Sequence, residues 1–210
     1  MTTETSDPHI NADKVVGWVG GGENTAVNDF LVGYIDGVNY VDPSIEVLYS
    51  YVGDWTNSAK ATELANAQYD MGADVIFAVA GGAGFGACES AAATGHYAFG
   101  VDTDFAGQLE QSGSATADYV VSSAIKQFGK VVYDAMVKFY NGELEFGKHT
   151  SCDVSSGYLE MLETKQFEKI VKEGMPDVYK RYTEICQDLK DGKIEVGTAV
   201  GATPEYVAQK

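Results

Sequence analysis

The feature that most constrains this chain is the recurrence of short apolar runs at near-regular intervals, with helix-patterned segments between them. The runs are Val15–Val19, Glu46–Val52, Val75–Ala80, Tyr97–Val101 and Tyr119–Ser122. Asn28–Tyr40 carries Phe30, Leu31, Tyr34, Ile35 and Val38 on one helical face and stops at Asp42-Pro43. Ser58–Met71, opened by a capping Ser58, about Phe85–Ala93 and Ala124–Tyr140 read as the later helices. Strands separated by helices imply a parallel sheet with right-handed crossovers. Val75–Ala80 and Tyr97–Val101 are apolar on both faces, so helices are expected on both sides. The fold class is therefore α/β, a doubly wound parallel sheet over residues 14–142.

The flanks read differently. Residues 1–13 are polar and acidic, with neither a basic nor an apolar stretch, and are expected to be linker-like rather than a signal peptide. Residues 143–210 are expected to form a C-terminal appendage packed on the lobe. It comprises an extended, poorly anchored stretch at His149–Met161, helices at Lys165–Gly174 and Asp177–Gly192, and a last strand at Lys193–Ala199.

Charge narrows the partners. The chain carries a net charge of −17, which argues against nucleic acid and anionic membrane. Residues 1–125 hold 17 acidic residues against two lysines, Lys14 and Lys60. A phosphate-gripping site wants Arg or Lys nearby, and this region offers almost none. Cys88, Cys152 and Cys186 form no Cys-x-x-Cys pair, and His9, His96 and His149 are scattered. No metal and no cofactor are expected, and the cysteines read as small buried apolar residues.

Ligands of open α/β sheets bind beyond the carboxyl ends of the strands. The segments there are Gly20–Gly22, Asp54-Trp55, the turn from Gly81 to Gly84, Asp102-Thr103-Asp104, and Ser122-Ser123 with Lys126 one turn into the next helix. Trp55 reads either as a cap on the core or as a flat face for a planar ring. Gly81 and Gly82 read as a tight turn allowing close backbone approach; the spacing through Gly86 does not fit the dinucleotide fingerprint. Asp102 either caps a helix or accepts hydrogen bonds from vicinal hydroxyls, whereas Asp104 reads as a turn residue. A lysine at a helix start is disfavoured by the dipole, so Lys126 is expected to be held by Asp102 or by a ligand hydroxyl. No nucleophile–base pair stands among these residues, which points to a binder and not an enzyme. A phosphorylated receiver domain would need acids where this chain has glycines.

The blocks "KVVGWVGGGENTAVNDFLVGYIDGVNYVDP", "VLYSYVGDWTNSAKATELANAQYDMGADVIFAVAGGAGFG", "FGVDTD" and "VVSSAIKQFGKVVYDAM", with the tail "LKDGKIEVGTA", resemble the second lobe of the basic membrane protein (purine nucleoside receptor) family. The resemblance runs over about residues 13–200. It implies one lobe of a type I periplasmic-binding fold and a substrate-binding component that delivers a nucleoside to ABC transporter membrane subunits, extracytoplasmic and membrane-associated. By position, Trp55 matches the aromatic that stacks on the base, Gly81 and Gly82 the turn beside the ligand, and Asp102 and Lys126 the groups on the ribose hydroxyls. The family's first lobe, signal peptide and lipid-attachment cysteine have no counterpart in these residues. Half a cleft is therefore expected, with a face left for a first lobe or for a homodimer partner. The alternative reading is a stand-alone lobe that signals or docks without transport.

Overall fold

In the computed structural model, which describes residues 1–150 and 152–200, β1 (Val15–Gly20) is buried along its whole length. It lies inside a six-stranded sheet with β2 (Glu46–Tyr51), β3 (Ala73–Val79), β4 (Tyr97–Asp102), β5 (Val120–Lys126) and β6 (Leu159–Met161). The order is β2-β1-β3-β4-β5-β6. The first five strands run parallel; β6 is antiparallel to β5, pairing Ala124 with Met161 and Lys126 with Leu159. The doubly wound α/β expectation is met, with one antiparallel edge strand added.

Local chemistry explains the helices. Asn24 opens α1 (Thr25–Val41), its side chain accepting from the Val27 N–H at 3.1 Å. The helix buries Val27, Leu31, Val32 and Ile35 on the sheet and ends at Asp42, whose backbone is extended ahead of Pro43. The cap of α2 (Ser58–Asp70) is Asn57, which accepts from the Lys60 N–H at 3.0 Å, and not Ser58 as expected. Ala61 and Ala65 are fully buried, which lets α2 approach α3 (Gly84–Thr94) closely. A Cβ at Gly86 would run into the Ser58 backbone, so the α2–α3 contact requires glycine there. The main core gathers Trp18, Val19, Leu31, Val32, Ile76, Val101 and Val120.

Several elements depart from the sequence reading. Phe105–Gln111 forms a short helix, α4, capped by Asp104, which accepts from the Gly107 N–H at 2.9 Å. The last long strand, β5, extends to Lys126, and helix α5 begins only at Phe128 and runs to Tyr140. Lys126 is therefore a strand-end residue and not one turn into a helix. The end of the stretch expected to be poorly anchored is tied down: β6 pairs with β5, Gln127 N–H donates to Tyr158 O at 2.9 Å, and Leu162 N–H donates to Ser123 O at 3.0 Å. Residue 151 within that stretch lies outside the described residues.

The tail continues as α6 (Lys165–Phe167), a π-helical stretch (Glu168–Glu173) and α7 (Pro176–Lys190). Phe167, Val171 and Met175 join Ile10, Val75, Tyr97 and Val121 in a second core. Lys193–Ala199 forms no strand. Its backbone is instead captured by acids of α1: Gly197 N–H donates to Asp36 and Ala199 N–H to Asp29, each at 2.8 Å. Residues 1–13 contain no helix or strand, yet Thr2 and Ile10 are buried. The Thr2 hydroxyl donates to the fully buried Asp74 carboxylate, which also accepts from Asn11 N–H at 2.7 Å.

Candidate functional site

Because β1 to β5 are parallel, Gly20–Gly22, the loop after β2, the turn after β3, Asp102 and Lys126 all stand at one edge of the sheet. Trp55 and Asp102 thus share the carboxyl-end edge. Gly81 follows β3 and Asp102 ends the adjacent strand β4; neighbouring strands are spaced ~4.8 Å apart.

The loop carrying Trp55 is held by Asp54. Its carboxylate accepts from the N–H and hydroxyl of Thr56, at 2.6 and 2.8 Å, and from Asn57 N–H at 2.8 Å. Those hydrogen bonds, Thr56 first, keep the Asp54 carboxyl below the usual aspartate range. Trp55 O accepts from Ala83 N–H at 2.9 Å, which pins the loop to the turn after β3. The indole lies on bare backbone. A Cβ at Gly21 would overlap its ring, and one at Gly81 would stand 3.5 Å from it. Gly81 has φ +55°, a left-handed conformation that suits glycine. A Cβ at Gly82 would come within 3.3 Å of Trp55 O. The Trp55 side chain nonetheless remains 48% exposed, so one region of the ring is supported and another faces solvent.

The second group is charged. Lys126 Nζ lies 2.9 Å from Asp102 Oδ1. The ammonium sits 4.5 Å from the centre of the Phe30 ring on α1 and 5.9 Å from that of Phe128. Asp102 has φ +64°, and a hydrogen bond of 2.7 Å from Thr103 N–H to Val101 O spans it as a γ-turn. A non-glycine residue in that conformation costs on the order of 1–3 kcal/mol, and such strain gathers at functional sites. The neighbouring Asp104 is the α4 cap, in keeping with its reading as a turn residue.

Sequence reasoning missed the aromatic surroundings of Lys126. Phe30 was read only as part of the apolar face of α1; it is half-buried and packs against Phe77 at 6.2 Å as well as under the ammonium. The signal available was a lysine two residues before an aromatic, Lys126-Gln127-Phe128. These side chains border an apolar cavity of about 650 Å³ on the α1 side of the sheet, lined also by Tyr34, Phe77 and Phe99. Among the described residues no His, Cys, Asp and Glu side chains gather as a metal site, and no helix is long and apolar enough to cross a membrane.

The family profile described as ABC transporter substrate-binding protein PnrA-like matches residues 9–190. The chain belongs to that family. Similar curated proteins include basic membrane protein D of Borreliella burgdorferi strain JD1, 30% identical over 184 residues, covering 86% of this chain and 51% of that protein. The ABC transporter nucleoside-binding protein BmpA of Lactococcus lactis subsp. cremoris is 28% identical over 191 residues, covering 86% and 52%. The chain thus spans about half the length of these PnrA-like relatives. Among solved structures, an ABC transporter solute-binding protein from Aeropyrum pernix K1 superposes with a TM-score of 0.73 at 19% identity, over 95% of this chain and 61% of that one. At that identity the likeness shows the fold alone.

Proposed function

We propose that this PnrA-like chain is the ligand-binding lobe of a nucleoside-binding component of an ABC transporter, taking a purine or related nucleoside at the carboxyl ends of its strands. The observation that carries the reading is the shared edge. A supported, half-open indole stands at the same end of the sheet as a carboxylate–ammonium pair. In this reading the base stacks on Trp55, the backbone at Gly81 and Gly82 allows close approach, and Asp102 and Lys126 hold the ribose hydroxyls. The carboxylate accepts from two hydroxyls and the ammonium donates to one. The chain binds and releases; no bond in the ligand is made or broken. The transporter's membrane subunits are the partners this role requires, on the extracytoplasmic side.

The charge around the site favours a neutral ligand over a phosphorylated one, since Lys126 is already paired and the first 125 residues are strongly acidic. Stacking on one aromatic contributes ~1–3 kcal/mol and each charge-assisted hydrogen bond about 1.5–3 kcal/mol, against an association cost of at least ~4 kcal/mol. At the midpoints of these ranges, one stacked ring and three such hydrogen bonds leave about 5 kcal/mol, a dissociation constant on the order of 0.1–1 mM. Calorimetry with guanosine, inosine and adenosine against their monophosphates tests this. Nucleosides are expected to bind and the monophosphates to bind more weakly. Tighter binding of the monophosphates, or no nucleoside binding at millimolar ligand, would overturn the reading.

A further inference from the structure

Three of the strand-end segments meet on one buried ring. Phe105 opens α4 just past Asp102 and is only 3% exposed. Its ring stacks on that of Phe85, with centres 4.2 Å apart and planes 12° from parallel. Phe85 lies in the first turn of α3, directly after the Gly81–Gly84 turn. A Cβ at Gly84 would stand 3.2 Å from the Phe105 ring, so that ring also lies against the turn after β3. Under the ring is bare strand: a Cβ at Gly100 would come within 2.5 Å of it and within 2.6 Å of Ser123 Oγ. Ser123 is fully buried and pairs with Gly100 in the β4–β5 ladder, and its hydroxyl oxygen accepts the Phe105 N–H at 3.2 Å. Phe105 thereby touches the turn that holds Trp55 through Ala83, the strand that ends in Asp102 and the strand that ends in Lys126.

We infer that Phe105, braced by Phe85, is a positioning residue that sets the separation between the two halves of the ligand site. The inference rests on the nucleoside reading above and adds a determinant of which ligands fit it. Asp102 stands between two fixed points. Val101 behind it is locked in the β4–β5 ladder, and Phe105 ahead of it is held by the stack and by Ser123. Only residues 102–104 span that gap, and Asp102 takes its left-handed turn within it. A strained conformation persists where its surroundings over-determine it, and the Phe105 anchor does so here. The same ring braces the turn after β3, so the indole platform and the carboxylate are referred to one common point. That matters for a ligand whose flat base and diol are joined by a short link. Once the base is stacked, reaching the diol is an intramolecular event, and its gain is lost when the geometry forbids both contacts at once. An aromatic pair suits the task, because stacked rings prefer a defined relative geometry.

Inosine and 2′,3′-dideoxyinosine share a base and differ by the two hydroxyls, so the ratio of their affinities reads the diol contact apart from stacking. NMR titrations followed on the indole N–H signals measure both; Trp18 is fully buried and Trp55 half-open, so the responding signal is that of Trp55. The wild type is expected to prefer inosine by at least roughly tenfold. Phe105→Leu and Phe85→Leu keep an apolar side chain and lose the stack. Each is expected to cut that preference at least about threefold while leaving dideoxyinosine binding within roughly twofold. Phe85 is only half-buried, so its variant carries the test if Phe105→Leu does not fold. Phe167→Leu, at a similarly buried ring in the second core, is expected to lower the thermal midpoint and leave the preference unchanged. A preference unchanged in both stack variants overturns the inference. So does a loss in which both ligands weaken alike, or one that Phe167→Leu reproduces. Wild-type protein that binds neither ligand, or both equally, fails the nucleoside reading itself, and the inference falls with it.

Discussion

The Lys126 ammonium lies 2.9 Å from the Asp102 carboxylate, and each residue is the last of its strand in a neighbouring parallel pair. In the proposed reading, removing either partner both deletes a ligand contact and frees a charge. Lys126→Met and Asp102→Ala are each expected to weaken nucleoside binding roughly ten- to hundredfold. Both groups are about one-third exposed, so folding stability should change by less than about 1 kcal/mol. Calorimetry together with denaturant titration separates the two effects. Unchanged affinity in both variants would remove the pair from the site.

Asp102 also allows function and strain to be separated. Its φ of +64° is relieved by glycine, so Asp102→Gly is expected to hold or raise the thermal midpoint while losing nucleoside binding. A marked fall in midpoint would show that the carboxylate is structural.

Bare backbone under Trp55 predicts a second dissociation of binding from folding. Gly21→Ala puts a methyl where the indole lies, so the ring must move. Affinity for nucleosides is expected to drop about as far as in Trp55→Ala, by roughly 1–3 kcal/mol. The other tryptophan, Trp18, is fully buried, so acrylamide quenching reports mainly on Trp55. Nucleoside should protect the wild-type fluorescence and fail to protect Gly21→Ala.

The Trp55 loop should loosen in acid, with a definite sign. The Asp54 carboxyl titrates lower in the folded loop than in the unfolded chain because Thr56 and Asn57 donate to its charged form. Its stabilisation is present above the ordinary aspartate range and is lost as pH falls through the lowered folded value. Acrylamide quenching of Trp55 is expected to be flat at neutral pH and to rise in that acid window. Asp54→Asn, which keeps an acceptor without the charge, should lose most of this rise; an equal rise in both proteins would exclude Asp54 as its cause.

Five strands and their parallel sense were legible because the apolar runs are local signals, and so was the placing of Trp55, Gly81, Gly82 and Asp102 at the strand ends. Lys126 was assigned to the wrong element for an identifiable reason. Ala124, Phe128, Val131 and Ala135 continue the apolar phase of α5 backward by a turn, but Ile125 pairs with Asp102 and Lys126 with Leu159, and the ladder wins over the helix. Both its partners are distant in sequence, so no local pattern announces them. Seven-residue α4 was not anticipated, because Asp104, read as a turn residue, marks a turn and a helix cap alike. Ile194, Val196 and Thr198 alternate as a strand would, yet the N–H groups of the intervening Gly197 and the following Ala199 find the carboxylates of Asp36 and Asp29 in place of a neighbouring strand.

The antiparallel pairing of Lys126 with Leu159 fixes the end of β5 against a stretch far along the chain. The carbonyl of Tyr158 receives the Gln127 N–H, and the hydroxyl of the same tyrosine grips Asp134 on α5. A single residue is thus tethered both to the residue after Lys126 and to α5. The end of β5 and helix α5 therefore share one anchor, so moving Tyr158 would disturb both together.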